Sequence, residues 1–153
     1  MVNKPDFDEK AVHKHFSAQC FNMAWDLIEK QDRTAEEDEQ MIRLNQASLW
    51  HWTQREDCKK TNMSVGYWQA SRIFALVGQP DAARKYGQLS LENSNEKEPF
   101  YMGYAYEALA RAESAAGNRE KSEEYLKQAR KLAEGVADAD SKKMLLDDLK
   151  SIV

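Results

Sequence analysis

The sequence has 153 residues, and its 22 lysines and arginines against 26 aspartates and glutamates give a formal net charge of −4. A chain of this length can bury roughly 68–70% of its unfolded surface, so we expect a single domain over residues 1–153 whose core needs no metal or disulfide. The weakly acidic charge disfavours general binding to phosphate backbones, and we therefore expect no nucleic-acid partner.

Apolar residues are too dispersed along the chain for a membrane segment. The opening residues, MVNKPDFDEK, lack the apolar run of a secretion signal, and no stretch reaches the ~20 apolar residues that span a bilayer. The two cysteines, Cys20 and Cys58, have no CxxC spacing, which favours reduced thiols. These features predict a cytoplasmic protein without a membrane contact.

The composition predicts helices throughout and no strand. Only 3 prolines and 6 glycines occur, while good helix formers such as Ala, Leu, Glu and Lys dominate. The first helix is predicted to begin at a capping box of Asp6 and Glu9 and to end near Lys30. Six further helices are predicted at about 35–57, 62–77, 80–93, 100–116, 118–134 and 138–152.

Several of these predicted helices begin or end at recognisable caps. Thr34 and Glu37 have the spacing of a capping box at the start of the second helix. Gly78 suits the end of the third helix, and Pro80 suits the first turn of the fourth. Gly117 similarly follows the fifth helix, so the chain is divided into helix pairs with glycine-centred turns.

The two glycine turns belong to an internal repeat. Gly78 and Gly117 are 39 residues apart, and a helix lies on each side of both. Aligning the turns also matches large or small residues at five further positions: Tyr67 with Tyr106, Ala70 with Leu109, Ser71 with Ala110, Ala83 with Ser122, and Ser90 with Ala129.

These units resemble tetratricopeptide repeats, in which large, small and aromatic residues recur around such a turn. The period is longer than the usual 34 residues, and Gly87 and Glu113 stand where that family favours aromatic residues. The stretches RTAEEDEQMIRLNQASLWHW and YAYEALARAESAAGNR also resemble a group of small, uncharacterised bacterial proteins of this architecture. The resemblance implies an all-α, right-handed stack of antiparallel helical hairpins at about 7–57, 62–93 and 98–134, with a closing helix at about 138–152.

The same resemblance implies a peptide-binding groove. In tetratricopeptide proteins the first helix of each hairpin lines a concave surface, which here corresponds to nine residues: Phe21, Asn22, Trp25, Trp68, Gln69, Arg72, Tyr104, Glu107 and Arg111.

Two of these groove residues, Arg72 and Arg111, occupy equivalent repeat positions and could pair with a carboxylate or phosphate. Alternatively, each arginine pairs with a local acid such as Glu107 or Glu113. The chaperone-tail clamp used by some family members needs a basic residue where this chain has Glu29.

The three histidines give no metal-binding pattern. No Cys, His, Asp or Glu lies four residues from His51 on its helix face, so we predict a half-buried histidine with a backbone or tyrosine partner. His13 and His15 lie on different sides of their helix and are predicted to be solvated. We therefore expect no metal site.

No motif for catalysis or cofactor binding occurs: GxSxG, HExxH, the Walker loop, GxGxxG and CxxC are all missing from the sequence. We therefore expect no cofactor and no catalytic residue, and predict a non-catalytic scaffold for a protein or peptide segment, with an acidic segment as a candidate. One alternative is a self-associating structural protein that forms a homodimer through exposed aromatic residues. Another is a small-molecule sensor or enzyme that uses the neighbourhood of Trp25, Trp68 and Arg72.

Overall fold

The computed structural model describes residues 3–4 and 6–152, and within these ranges every regular element is an α-helix. The prediction of an all-α chain without strands is thus confirmed over the described residues; the extreme ends of the predicted 1–153 domain lie outside them. The helices are α1 (Glu9–Glu29), α2 (Ala35–Thr53), α3 (Lys60–Leu76), α4 (Pro80–Glu92), α5 (Pro99–Ala115), α6 (Arg119–Glu134) and α7 (Ala139–Lys150).

The first helix begins two residues later than the capping box predicts. Asp8, not Asp6, is the N-cap, and its carboxylate accepts hydrogen bonds from the backbone N–H groups of Lys10 at 3.0 Å and Ala11 at 3.2 Å. The prediction was wrong because Glu9 is the first residue of the helix and not its third.

The capping box of the second helix is confirmed. The backbone N–H of Glu37 donates to the Thr34 hydroxyl at 3.2 Å, and the backbone N–H of Thr34 donates to the Glu37 carboxylate at 2.9 Å. The helix ends at Thr53, earlier than the predicted Asp57. Beyond it, the Arg55 guanidinium pairs with Asp57 through two hydrogen bonds of 2.8 and 2.7 Å, which are local contacts of a turn.

Consecutive helices form three antiparallel hairpins, α1 with α2, α3 with α4, and α5 with α6. A serine hydroxyl bonds to a backbone carbonyl across each of them. These contacts are Ser48 to Ser17 at 2.7 Å, Ser71 to Ala83 at 2.7 Å, and Ser122 to Ala110 at 2.9 Å. The last two join equivalent positions of the repeat, with the donor on opposite helices, so the small residues that align in sequence do lie where the two helices of each hairpin contact each other.

The second and third hairpins also share their turn geometry. Gly78 and Gly117 adopt positive φ values of 75° and 78°, a conformation that glycine reaches without the penalty of a Cβ. In both hairpins a pair of tyrosines also occupies equivalent positions and joins the two helices. The pairs are Tyr67 with Tyr86, and Tyr106 with Tyr125, each with ring centroids 6.1 Å apart.

The hairpins pack on one another in chain order, and α7 covers part of the last hairpin. α3 packs against α2, α5 packs against both α3 and α4, and α7 packs against α5 and α6. α7 approaches closely at Gly103, where an added Cβ would lie 2.7 Å from the Leu145 side chain. None of the described helices combines the length and the apolar character needed to cross a membrane.

Candidate binding site

Aromatic side chains from the first helices of the three hairpins form a continuous row. The Trp25 ring of α1 lies 5.4 Å from the Trp68 ring of α3, between centroids. Trp68 in turn contacts the Tyr104 ring of α5 edge-on at 5.3 Å, and Tyr104 contacts Phe100 edge-on at 5.1 Å. Because the row bridges α1, α3 and α5, it brings together the predicted groove residues Trp25, Trp68 and Tyr104.

A cavity of about 210 Å³ opens beside this row. Its walls include Val65 of α3 and Met144 of α7, the latter 57% exposed at the rim. Five aromatic rings and one carboxylate complete most of the lining: Trp25, Trp68, Phe100, Tyr101, Tyr104 and Asp148. Phe100, Tyr101, Met144 and Asp148 were not predicted as site residues, although the four-residue spacing of Met144 and Asp148 does place both on one face of α7.

Helix α7 is attached to the site by polar contacts from α5. The Tyr104 hydroxyl donates to Asp148 Oδ2 at 2.6 Å. Arg111 Nη2 donates to the Ser151 hydroxyl at 3.0 Å and lies 3.4 Å from the Asp148 carbonyl oxygen. Burial, reinforced by the hydrogen bond to Asp148, raises the pKa of Tyr104, so its phenol stays neutral and remains a donor.

The Glu107 carboxylate is fully buried between the two predicted groove arginines. It accepts a hydrogen bond from Trp68 Nε1 at 2.8 Å and another from Arg111 Nε at 2.7 Å. Arg72 Nη1 lies 3.8 Å from its Oε1 atom. Of the two alternatives for these arginines, pairing with a local acid is therefore the geometry observed for Arg111.

Arg72 is less completely paired than Arg111. Its Nη1 atom is buried and has no hydrogen-bond partner among the described residues. The guanidinium lies over the Trp25 ring, 5.4 Å from its centroid, in a cation–π contact. Burial, with a further contribution from the Arg111 charge, lowers the pKa of Arg72.

The other local acid considered, Glu113, pairs with a different arginine. Arg84 of α4 donates to its carboxylate from Nε at 2.6 Å and from Nη2 at 3.1 Å. The Arg84 partner lowers the pKa of Glu113, which therefore carries its charge in the fold. Glu113 thus links α5 to α4 where the tetratricopeptide pattern favours an aromatic residue.

Two residues predicted to line the groove are interior, and the prediction needs correcting at both. Gln69 and Glu107 are each 0% exposed. The Gln69 amide donates to the Phe21 carbonyl at 3.0 Å and accepts from Asn45 at 3.1 Å, so it joins three helices. Both are buried because each completes hydrogen bonds between neighbouring helices.

The remaining predicted residues, Phe21 and Asn22, lie away from the aromatic row. They line a separate depression of about 210 Å³ between α1 and α3. The nine predicted residues therefore do not form one groove. Two line this depression, three line the aromatic cavity, and the other four line neither: Gln69, Glu107, Arg72 and Arg111.

His51 is half-buried as predicted, but its partner is another histidine. The Nδ1 atoms of His51 and His13 are 2.9 Å apart, a hydrogen bond in which one ring donates and the other accepts. His13 was predicted to be solvated; it is half-buried because α1 and α2 are antiparallel and bring the two residues together. Burial and the neighbouring His13 lower the pKa of His51. Within the described residues no group of three or more His, Cys, Asp or Glu is placed to hold a metal ion.

Comparisons of the chain with protein-family models, curated proteins and solved structures find no match. The aromatic cavity is accordingly interpreted from its own geometry and chemistry.

Proposed function

We propose that this protein is a tetratricopeptide-like binding module, which holds a protein or peptide segment by inserting one group of that segment into the aromatic cavity. The observation that carries the proposal is the cavity itself, built from the first helices of all three hairpins and closed by α7. The matching turns and tyrosine pairs of the second and third hairpins support a tetratricopeptide-like, right-handed stack.

The size of the cavity favours a group of side-chain dimensions over a whole metabolite. Its volume of about 210 Å³ is below the ~300–1,000 Å³ typical of pockets that enclose a small molecule. Aromatic residues that surround a desolvated pocket are also typical anchors in protein–protein interfaces. A segment anchored by one group and lying across Met144 and Trp25 fits these dimensions.

The hypothesis that the groove binds an acidic segment receives less support, because both arginines contact groups within the protein. Arg111 uses its donors on Glu107 and Ser151, and Arg72 contacts Trp25 and Glu107. Neither guanidinium is among the residues that line the cavity. We therefore assign partner contact to the aromatic walls and a structural role to the arginine pair.

Peptide selection followed by a paired substitution tests this function. Peptides are selected on the wild-type protein from a random display library, and their affinities are then measured by fluorescence anisotropy. Met144→Trp places a bulkier side chain at the opening of the cavity and narrows it. The control Met23→Trp makes the same change on α1, at a residue that is 42% exposed and outside the lining. We expect Met144→Trp to weaken binding at least tenfold and Met23→Trp to leave it unchanged.

Two outcomes would contradict the function. The first is a selection that yields no binding peptide. The second is that the selected peptides bind both tryptophan variants as tightly as they bind the wild type. Circular dichroism of both variants verifies that they remain helical.

Self-association is the second candidate, and the ring cluster on the first hairpin favours it. Trp50 is 56% exposed and Phe16 is 41% exposed. Both contact the half-buried His51 ring, with centroids 4.9 and 5.6 Å away. Sedimentation equilibrium over a wide concentration range tests it: a dimer through this surface is lost in Trp50→Glu and retained in Leu76→Glu, which changes an exposed residue of α3. A wild-type protein that stays monomeric throughout would exclude this candidate.

A further inference from the structure

We infer that the group held in the aromatic cavity is a methylated ammonium, such as the head of a trimethylated lysine or of choline. The inference rests on the proposed function, because it takes the cavity as the binding site. It adds the chemical class of the ligand.

The walls of the cavity provide the π faces that such a cation needs. A cation within ~6 Å of a ring centroid is attracted by the negative face of the ring, most strongly for tryptophan. Two tryptophans, two tyrosines and one phenylalanine line this cavity. Trp25 already makes one such contact elsewhere, with the Arg72 guanidinium 5.4 Å from its centroid.

The charge that lines the cavity is negative. Asp148 contributes a carboxylate, and no lysine or arginine is among the lining residues of the described chain. Its Oδ2 atom accepts a hydrogen bond from the Tyr104 hydroxyl. The nearby Arg72 and Arg111 are directed at the buried Glu107, whose charge offsets part of theirs.

The polar groups of the lining favour a methylated ammonium over a free one. A primary ammonium brings three N–H donors, each of which needs an acceptor once water is removed. The Ser64 and Ser90 side chains also line the cavity, but they are only 2% and 0% exposed and bond to each other's backbone carbonyls at 2.8 and 2.9 Å, so their oxygens are largely closed to a ligand. Asp148 is then the main acceptor, so a cation without N–H donors, with apolar methyl groups against the rings, matches the site.

A neutral molecule with the shape of choline distinguishes the effect of the positive charge on binding from the effect of size. Choline chloride is titrated into the wild-type protein, with sodium chloride added to keep ionic strength constant, and tryptophan fluorescence reports occupancy of the cavity. The comparison titration uses 3,3-dimethyl-1-butanol, in which a carbon replaces the ammonium nitrogen. We expect choline to bind saturably and at least tenfold more tightly than the alcohol.

Two variants test whether choline binds in the aromatic cavity. Two peptides test whether the methylated ammonium belongs to a protein or to a small molecule. Asp148→Asn is expected to weaken choline binding about tenfold and to leave binding of the alcohol unchanged, whereas Tyr101→Leu, which removes one ring from the lining, should weaken choline binding more than binding of the alcohol. A short peptide with trimethyllysine is compared with the same peptide carrying unmodified lysine. Tighter binding of the trimethyllysine peptide than of choline identifies a protein ligand, and the reverse order identifies a free small molecule.

The titrations on the wild-type protein decide the inference without any variant. Equal affinity for choline and the alcohol would overturn the cation while leaving the cavity as the binding site for an apolar anchor. Binding of neither would also overturn it, and the selected peptides with Met144→Trp then test the proposed function separately.

Discussion

Glu107 is the residue whose neutralisation should reveal most about how the first helices are held together. In Glu107→Gln the shape of the side chain is nearly kept, but its negative charge is removed from a fully buried position. The amide oxygen can still accept from Trp68 Nε1. The amide NH₂ group, however, then faces the guanidinium of Arg111, which lay 2.6 Å from the carboxylate through Nη2.

The expected loss of stability is large because two cations lose their shared counter-charge. Removing one partner of a buried ion pair costs ~3–5 kcal/mol. The side chains of Arg72 and Arg111 keep 20% and 19% of their surface exposed, so water offsets part of this cost and we expect about 3 kcal/mol. For a protein of this size that corresponds to a decrease in melting temperature of roughly 6–12 °C.

Urea unfolding measures this loss directly, provided that the denaturant dependence is the same in both proteins. Glu29→Gln is the matched control, because Glu29 also accepts a tryptophan N–H, from Trp25 at 3.0 Å, but does so at an exposed position. We expect the control to unfold at the wild-type midpoint. A Glu107→Gln protein within about 1 kcal/mol of wild type would refute the reasoning, since it would mean that the two arginines need no buried counter-charge.

Three further predictions concern the arginines, the histidine pair and the glycine turns. Arg72→Met should change the free energy of unfolding by less than about 1 kcal/mol, because Nη1 of Arg72 has no hydrogen-bond partner among the described residues and its ion pair with Glu107 is long, at 3.8 Å, whereas Arg111→Met should cost about 3 kcal/mol; equal urea midpoints would contradict this. Because burial lowers the pKa of His51, the fold favours the neutral ring, and this stabilisation is present above the ordinary histidine pKa of ~6.5 and lost as pH falls below it. Wild type should therefore lose more stability than His51→Gln between pH 7.5 and pH 5.5 in urea unfolding, and parallel losses would count against the histidine pair. Gly117→Ala should cost about 1–2 kcal/mol because its φ is 78°, while Gly135→Ala, at φ −84°, should be neutral or stabilising in thermal unfolding; a neutral Gly117→Ala would argue against strain at the turn.

Features that depend on a few neighbouring residues could be predicted from the sequence. The Thr34 and Glu37 capping box and the positive φ of Gly78 follow from local backbone chemistry, which the surrounding fold does not need to supply. The repeat extended this to contacts between helices, because Ser71 and Ala83 were recognised as small residues and do lie at a helix crossing. Asp6 was a local error, caused by two acids that both suit an N-cap.

Contacts between distant residues could not be predicted in this way. The His13 and His51 rings are 38 residues apart in sequence, and their meeting depends on the register between α1 and α2. Tyr104 and Asp148 are 44 residues apart, and their hydrogen bond depends on where α7 docks. Helical spacing specifies a face but not what covers it, so the lining contributed by α7 was missed.

The repeat helps to explain why the arginine pair lies apart from the aromatic cavity. Trp68 and Glu107 occupy equivalent positions of the repeat and meet across the boundary between α3 and α5. Arg72 and Arg111 also occupy equivalent positions and lie near each other, and two neighbouring like charges need an acid between them. Glu107 supplies it and becomes buried as a result. Helical periodicity predicted a shared surface for these residues, but their charges are used within the protein, and Glu107 is fully buried. The aromatic rings of Trp25, Trp68 and Tyr104 carry no charge that a neighbour must neutralise, and the cavity beside them is the space that we propose as the binding site.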